Sequence, residues 1–304
     1  MTAPSSLRGS VLLPTAACAL ALVAGSPVTA RQGPQEKQVV VTVMDVRSSR
    51  PAAGVTASAL AVREDGQSRE IVKVEPAASA MSVVLLADTT TAFSKYTREL
   101  RASSQTFLSA VMTARPDSSA ALWEFGGAAM PVTSFTKDAA ALGQSAARLR
   151  PKEVVVDLTT EASSNLLTAV FDAARALGKQ PEPRHVIVSF NAATSLETGK
   201  LTKQQVQAEL QKAGVSWFAV TFADGGSSSP LRDSVMTELI PASGGLRLTV
   251  SSASSLEPAM KALADALAAQ YLVSYKRPSG SPKELQVEVM GDGLKAFAQR
   301  WAPK

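Results

Sequence analysis

One feature most constrains what this 304-residue chain can fold into: an alternation that runs through its middle. Short apolar runs of Val, Leu, Ala and Phe take turns with segments whose apolar residues recur every three or four positions. The runs read as strands buried on both faces, and the segments between them as amphipathic helices. Repeated strand–helix–strand units predict a parallel sheet wrapped by helices. Predicted strands lie at 82–87, 120–125, 186–190, 215–222 and 245–250.

The helix signals are local. Tyr96, Leu100, Phe107 and Val111 mark one helix, and Leu166, Val170, Ala173 and Leu177 another. Thr202 and Gln205 have capping-box spacing, and Gly214 stops the helix they open. Ser229 and Pro230 read as N-cap and first-turn proline, with Leu231, Val235 and Leu239 expected on one face. Ser254 and Glu257 predict a second capping box, ahead of the stripe Leu256, Met260, Leu263 and Leu267.

Both flanks read as β. "QVVVTVMDV" (38–46) alternates like a strand. Extended runs at 59–63 and 69–74 surround Asp65-Gly66, a hairpin signal. After residue 270, "QYLVSYKRP", "KELQVEVMG" and "LKAFAQRWA" read as a three-stranded meander. The expected fold is α/β and doubly wound, with a mostly parallel central sheet and a small β annex from both end segments. The expected organisation is an N-terminal β segment (31–80), an α/β domain (81–270) and a C-terminal meander (271–304) that packs with the N-terminal segment.

Residues 1–30 read as a secretory leader. Arg8 is the only charge, "VLLPTAACALALVAG" is apolar, and Val28-Thr29-Ala30 is a small-residue exit. The apolar run is shorter than the ~20 residues of a membrane-spanning helix. The expectation is export to periplasm, cell surface or medium, with no membrane span after cleavage; an uncleaved anchor is the alternative. Cleavage would remove Cys18, the one cysteine, and with it disulfide and thiolate chemistry.

Other chemistry is limited by count. The net charge of +5 comes with no Lys/Arg run, so no nucleic-acid partner is expected. One histidine, His185, rules out a histidine-rich zinc site. A Ser-His-Asp triad would have to use it, and the chain holds no Gly-x-Ser-x-Gly elbow and no phosphate-cradling glycine–lysine loop. A phospho-aspartyl enzyme needs a second acid two residues after the first, and Thr90 stands there. Asp224-Gly225-Gly226 follows another predicted strand and reads as a turn.

Ligands of open parallel sheets bind at the carboxyl ends of the strands. Asp88 ends the run "SVVLLADTTTA", and hydroxyls follow it. A carboxylate with hydroxyls is an oxygen set suited to a hard cation such as Mg²⁺.

"SVVLLADTTTA" resembles the opening of a von Willebrand factor type A domain, whose first strand ends in Asp-x-Ser-x-Ser, the start of a metal-ion-dependent adhesion site. "ALWEFGGAAMPVTSFTKDAAAL", "SSNLLTAVFDAA" and "RHVIVSFNAATS" are similar, in order, to the family's second strand and following segment, its Thr-bearing loop, and its fourth strand. The flanks are similar to those of exported acidobacterial relatives. The resemblance covers nearly the whole chain after the leader. It implies a non-enzymatic module for protein–protein adhesion or envelope assembly.

Carried over residue by residue, the metal site is degenerate. Asp88 matches the first Asp and Thr90 the first Ser, while Ala92 stands in place of the second Ser. Ser164 falls near the loop Thr. Ala192, preceded by Asn191, replaces the second Asp. The candidate binding face is Asp88, Thr90, Thr91, Ser164 and Asn191. No cofactor is expected, and the partner is expected to be a protein bound without metal. The alternatives are a metal-dependent binder or hydrolase with Mg²⁺ at Asp88, Thr90 and Ser164, and a structural envelope protein.

Overall fold

The computed structural model describes residues 35–126, 128–152, 163–226, 228–278 and 280–302. The leader predicted over 1–30 lies outside them. The N-terminal strands are β1 (Gln35–Asp45), β2 (Arg50–Pro51), β3 (Leu60–Glu64), β4 (Gln67–Arg69) and β5 (Ile71–Pro76). The middle runs β6 (Met81–Asp88), α1 (Thr97–Ala114), β7 (Ser119–Phe125), β8 (Met130–Thr136), α2 (Ala139–Ala147), β9 (Ser163–Ser164), α3 (Leu166–Leu177), β10 (Arg184–Ala192), β11 (Leu196–Glu197), α4 (Lys203–Ala213), β12 (Val215–Phe222), α5 (Pro230–Ala242), β13 (Arg247–Val250) and α6 (Leu256–Ala268). Three strands close the chain: β14 (Tyr271–Arg277), β15 (Leu285–Val289) and β16 (Leu294–Ala298).

The central sheet has the order β13-β12-β10-β6-β7-β8, parallel except for the antiparallel edge strand β8. Every residue of β6 is buried. Its side chains alternate between two apolar layers. Met81, Val83, Leu85 and Ala87 face α1, α2 and α6; Val84 and Leu86 face α3, α4 and α5. Burial on both sides is why the sequence shows a continuous apolar run. Each fully buried Leu contributes roughly 1.5–3 kcal/mol.

The mixed α/β class, with helices on both faces and an antiparallel β annex built from both ends, is as the sequence predicts. In the annex, β1 pairs with β14 on one side and β16 on the other, and β5 extends the sheet beyond β14. A second sheet joins β15, β3 and β4. The Asp65-Gly66 hairpin forms, with both residues at positive φ as the tight turn requires. Thr202 and Gln205 make the reciprocal capping box, and left-handed Gly214 ends α4.

Several local expectations are corrected. The C-terminal strands are not a meander: β1 intervenes between β14 and β16, and β15 joins the other sheet. The run expected at 69–74 breaks at Glu70 into β4 and β5, which enter different sheets. Ser254 does not cap α6; it lies in a 3-10 turn, and Glu257 instead accepts a hydrogen bond from Thr106 Oγ1 at 2.8 Å. Strand β8 and helix α2 are elements that the sequence reading does not predict. Leu231 is not on the buried face of α5: it is 56% exposed, and Arg232 is fully buried in its place.

Candidate functional site

The chain crosses from β6 outward to β7 and later returns to place β10 on β6's other side. Such a reversal opens a crevice at the carboxyl ends of the two strands. Asp88 ends β6 and Ala192 ends β10, so the candidate residues gather at this switch point.

Asp88 is fully buried. Its Oδ1 accepts from the Thr90 backbone N–H at 2.9 Å. Its Oδ2 accepts from the Ala192 N–H at 3.0 Å and from Ser195 Oγ at 3.1 Å. The Thr90 and Ser195 hydroxyls bond each other at 2.9 Å, and both are buried. Burial pushes the Asp88 carboxyl above its usual range, while its bonds to Ala192 and Thr90 and the charge of Arg232 oppose the rise. Ser195 is a site residue that sequence reasoning did not single out, because its part depends on where the loop after β10 turns.

The other candidates fare differently. Thr91 is exposed in the 3-10 turn after β6, outside the buried Asp88 cluster. Ala92 packs against the apolar core, and neighbouring Phe93 stacks edge-on against Phe190 with ring centres 5.2 Å apart. Asn191 lies one step beyond the Phe190–Ala87 pair, beside Asp88. Its amide makes long contacts of 3.5 Å, to Thr221 Oγ1 and from Ser189 Oγ. The Ser164 backbone pairs with Glu197 in the β9–β11 ladder, and its side chain lies outside the described residues.

Two further charged groups reach this crevice, and no sequence motif announced them. Arg232, in the first turn of α5, donates from Nη2 to the Ala193 carbonyl at 2.5 Å. Burial lowers its pKa, and the acids Asp88, Asp233 and Glu197 act against that. Glu197 accepts from the backbone N–H of Leu167, in the first turn of α3, and from that of Gly199 in its own loop, both at 3.3 Å. Burial pushes the Glu197 carboxyl up to about 7, against those two bonds and the Arg232 charge.

A divalent cation does not fit the described donors Asp88, Thr90 and Ser195. Asp88 turns both oxygens to N–H and O–H donors, the two hydroxyls satisfy each other, and a guanidinium is buried alongside. Among the described residues no group of three or more His, Cys, Asp or Glu side chains converges as a metal site. Mg²⁺ sheds water reluctantly and relies on carboxylates.

The mostly parallel sheet with an antiparallel edge strand and helices on both faces is the architecture that the resemblance of the motifs to a von Willebrand factor type A domain implies. Among solved structures, the chain is similar to proximal thread matrix protein 1 from the mussel byssus (13% identity, 68% of this chain and 50% of that one, TM-score 0.49). It is also similar to a von Willebrand factor type A protein from Catenulispora acidiphila (10% identity, 90% and 74%, TM-score 0.49) and to BatB from Bacteroides thetaiotaomicron (13% identity, 62% and 98%, TM-score 0.44). The chain thus spans half the length of the mussel protein it matches. No family model and no curated protein matches it.

Proposed function

We propose that this chain is an exported, non-enzymatic protein-binding module that docks its partner on the strand-end loops without a divalent metal. The observation that carries this is the closed centre of the crevice. Asp88, Thr90 and Ser195 are buried and bonded to one another, so none of these three is open to a substrate as nucleophile or base. The rim supplies contact surface instead. Thr91, Ser94 and Lys95 after β6, Asp224, Gly225 and Gly226 after β12, and Leu231 on α5 are exposed. An exposed apolar side chain together with exposed polar loops suits a protein partner. The absence of any Lys/Arg run argues against nucleic acid. Export rests on the composition of residues 1–30, and the role is adhesion or envelope assembly. No helix among the described residues is long and apolar enough to cross a membrane.

One observation favours a second reading, a structural envelope protein whose annex makes the contacts. Val72 is 46% exposed on β5, the edge strand of the larger annex sheet. Edge strands pair readily with other chains.

The two are separated by crosslinking the full chain in envelope extract, with EDTA and with Mg²⁺. Strand-end docking predicts one set of partners in both conditions, lost in Thr91→Arg and Leu231→Asp and kept in Val72→Lys. Loss only in Val72→Lys would move the interaction to the annex. Loss in EDTA would refute metal-free docking.

A further inference from the structure

The placement of Arg232 runs against two ordinary rules. A cation in the first turn of a helix faces the positive end of the helix dipole. A guanidinium with no solvent exposure carries a large desolvation cost unless it is compensated. The crevice must therefore compensate a positive charge at this point.

The geometry identifies what compensates it. Arg232 and Asp88 hold the same short segment from two sides. Arg232 grips the Ala193 carbonyl, and Asp88 grips the Ala192 N–H and the Ser195 hydroxyl. Arg232 projects from α5 on the layer that holds Val235, Met236 and Leu239, the same side of the sheet as Val84 and Leu86 of β6. Strand alternation puts Asp88 on that side too. Helix α5 also packs on β11, which carries Glu197. Nearby, Arg247 joins Thr221 Oγ1 at 2.9 Å and Asp233 Oδ1 at 2.8 Å, and the charge of Asp233 also bears on Arg232. The charge of Arg232 bears on both Asp88 and Glu197.

We propose that Arg232 is the resident cation of this crevice: its guanidinium does from within the chain what a divalent ion does between carboxylates, and fixes the Ala192–Ser195 segment permanently. A cation on a helix cannot dissociate. The strand-end face is therefore held in one arrangement whatever the divalent-metal concentration. The burial of Arg232 and the exposure of Leu231 follow from the same helix orientation, so the device also sets the rim residue that faces a partner. This rests on the metal-free reading of the face and is independent of the partner's identity.

The test combines a metal titration with a thermal-unfolding cycle on the full chain. Wild type should bind no Mn²⁺ by electron paramagnetic resonance, and its midpoint should be the same in EDTA and in millimolar Mn²⁺. Arg232→Gln should lower the midpoint by on the order of 10 °C, since it leaves buried acids without a counter-charge. Asp88→Asn should also lower it, and the double variant should lose clearly less than the sum. Arg232→Lys, which keeps the charge, should recover part of the loss and serves in the cycle if Arg232→Gln does not fold. Additive losses with no metal response would overturn the role of Arg232 alone. Mn²⁺ binding that Asp88→Asn abolishes would overturn it together with metal-free docking.

Discussion

Arg277 donates from both Nε, at 2.8 Å, and Nη2, at 2.5 Å, to the same carboxylate oxygen of Glu64. The two residues belong to different annex sheets, so this pair fastens β14 to β3. Tyr275 Oη donates to that oxygen at 2.7 Å, and Arg69 Nε reaches the other at 3.0 Å. Burial alone would raise the Glu64 carboxyl; the bonds from Arg277, Tyr275 and Arg69 outweigh it and hold the pKa below the usual value.

Glu64→Gln should therefore destabilise the chain by about 3 kcal/mol, because it leaves buried guanidinium charge unmatched. The sign of the pH effect follows from the lowered pKa. The stabilisation is present above the ordinary carboxylate value of 4.5 and is lost as pH falls through the folded-state value. Urea unfolding at pH 7 and pH 3 checks both. The gap between wild type and variant should be wide at pH 7 and smaller at pH 3, narrowing as pH falls below 4.5.

Gly245 is a steric requirement two residues before the last parallel strand, β13. A Cβ there would lie 1.8 Å from the Trp217 carbonyl oxygen, and backbone cannot yield as a flexible side chain can. Gly245→Ala should cost at least about 3 kcal/mol through forced separation of β12 and β13. Gly143, inside α2, has open space on its side-chain side, with nothing within 4 Å of where a methyl group would sit. Gly143→Ala should stabilise by about 0.5–1 kcal/mol through helix propensity. Thermal unfolding of the two variants side by side distinguishes a packing effect from a general intolerance of substitution.

Much of the fold is legible because burial on both faces leaves an unbroken apolar run, as in β6 and β12, and because Thr202, Gln205 and Gly214 punctuate a helix by local chemistry. Strand β8 is not legible for the converse reason. It is an antiparallel edge strand, its Met130 and Val132 are exposed, and its sequence carries a proline and polar residues that read as loop. On α5, a spacing of four placed Leu231 with Val235 and Leu239. The structure instead buries Arg232 with Val235, Met236 and Leu239, a stripe one residue over. Counting apolar residues cannot find a buried arginine, since its burial depends on acids contributed by β6 and β11. Asp88 and Thr90 announced themselves through local spacing. Ser195, Glu197 and Arg232 join them only once the loop after β10 and the first turn of α5 have converged.

Arg184 and Arg115 close the carboxyl end of α6, where a cation is favoured by the helix dipole. Arg184 Nη2 reaches the Leu267 carbonyl at 3.2 Å and also binds Gln270, while Arg115 Nη2 reaches the Ala268 carbonyl at 2.8 Å. Both also donate to the Ala77 carbonyl. Gln270 in turn donates to Thr42 Oγ1 of β1 at 2.8 Å. Arg184→Gln should cost about 2–3 kcal/mol by leaving buried carbonyls without donors. Native-state hydrogen exchange should show the end of α6 and the β1–β14 ladder loosening together. Loosening of the helix end alone would show that Gln270 does not transmit the change.

Glu197 gives the crevice a pH dependence opposite in sign to that of Glu64. Burial raises its carboxyl from 4.5 to about 7, so the folded state holds a proton that the unfolded chain has released over that interval. Stability then falls as pH rises from about 4.5 to about 7, and levels off above. Each unit of pKa corresponds to about 1.4 kcal/mol, and the side chain is partly exposed, so the expected fall is on the order of 1 kcal/mol. Glu197→Gln removes the titration but keeps an amide oxygen for one of the two N–H groups, that of Leu167 at the start of α3 or that of Gly199 in the loop after β11. The variant should be no more stable than wild type at pH 4.5 and should gain on it by about 1 kcal/mol by pH 8, as measured by urea unfolding across that range. Parallel curves would mean that Glu197 is ionised throughout, held so by Arg232.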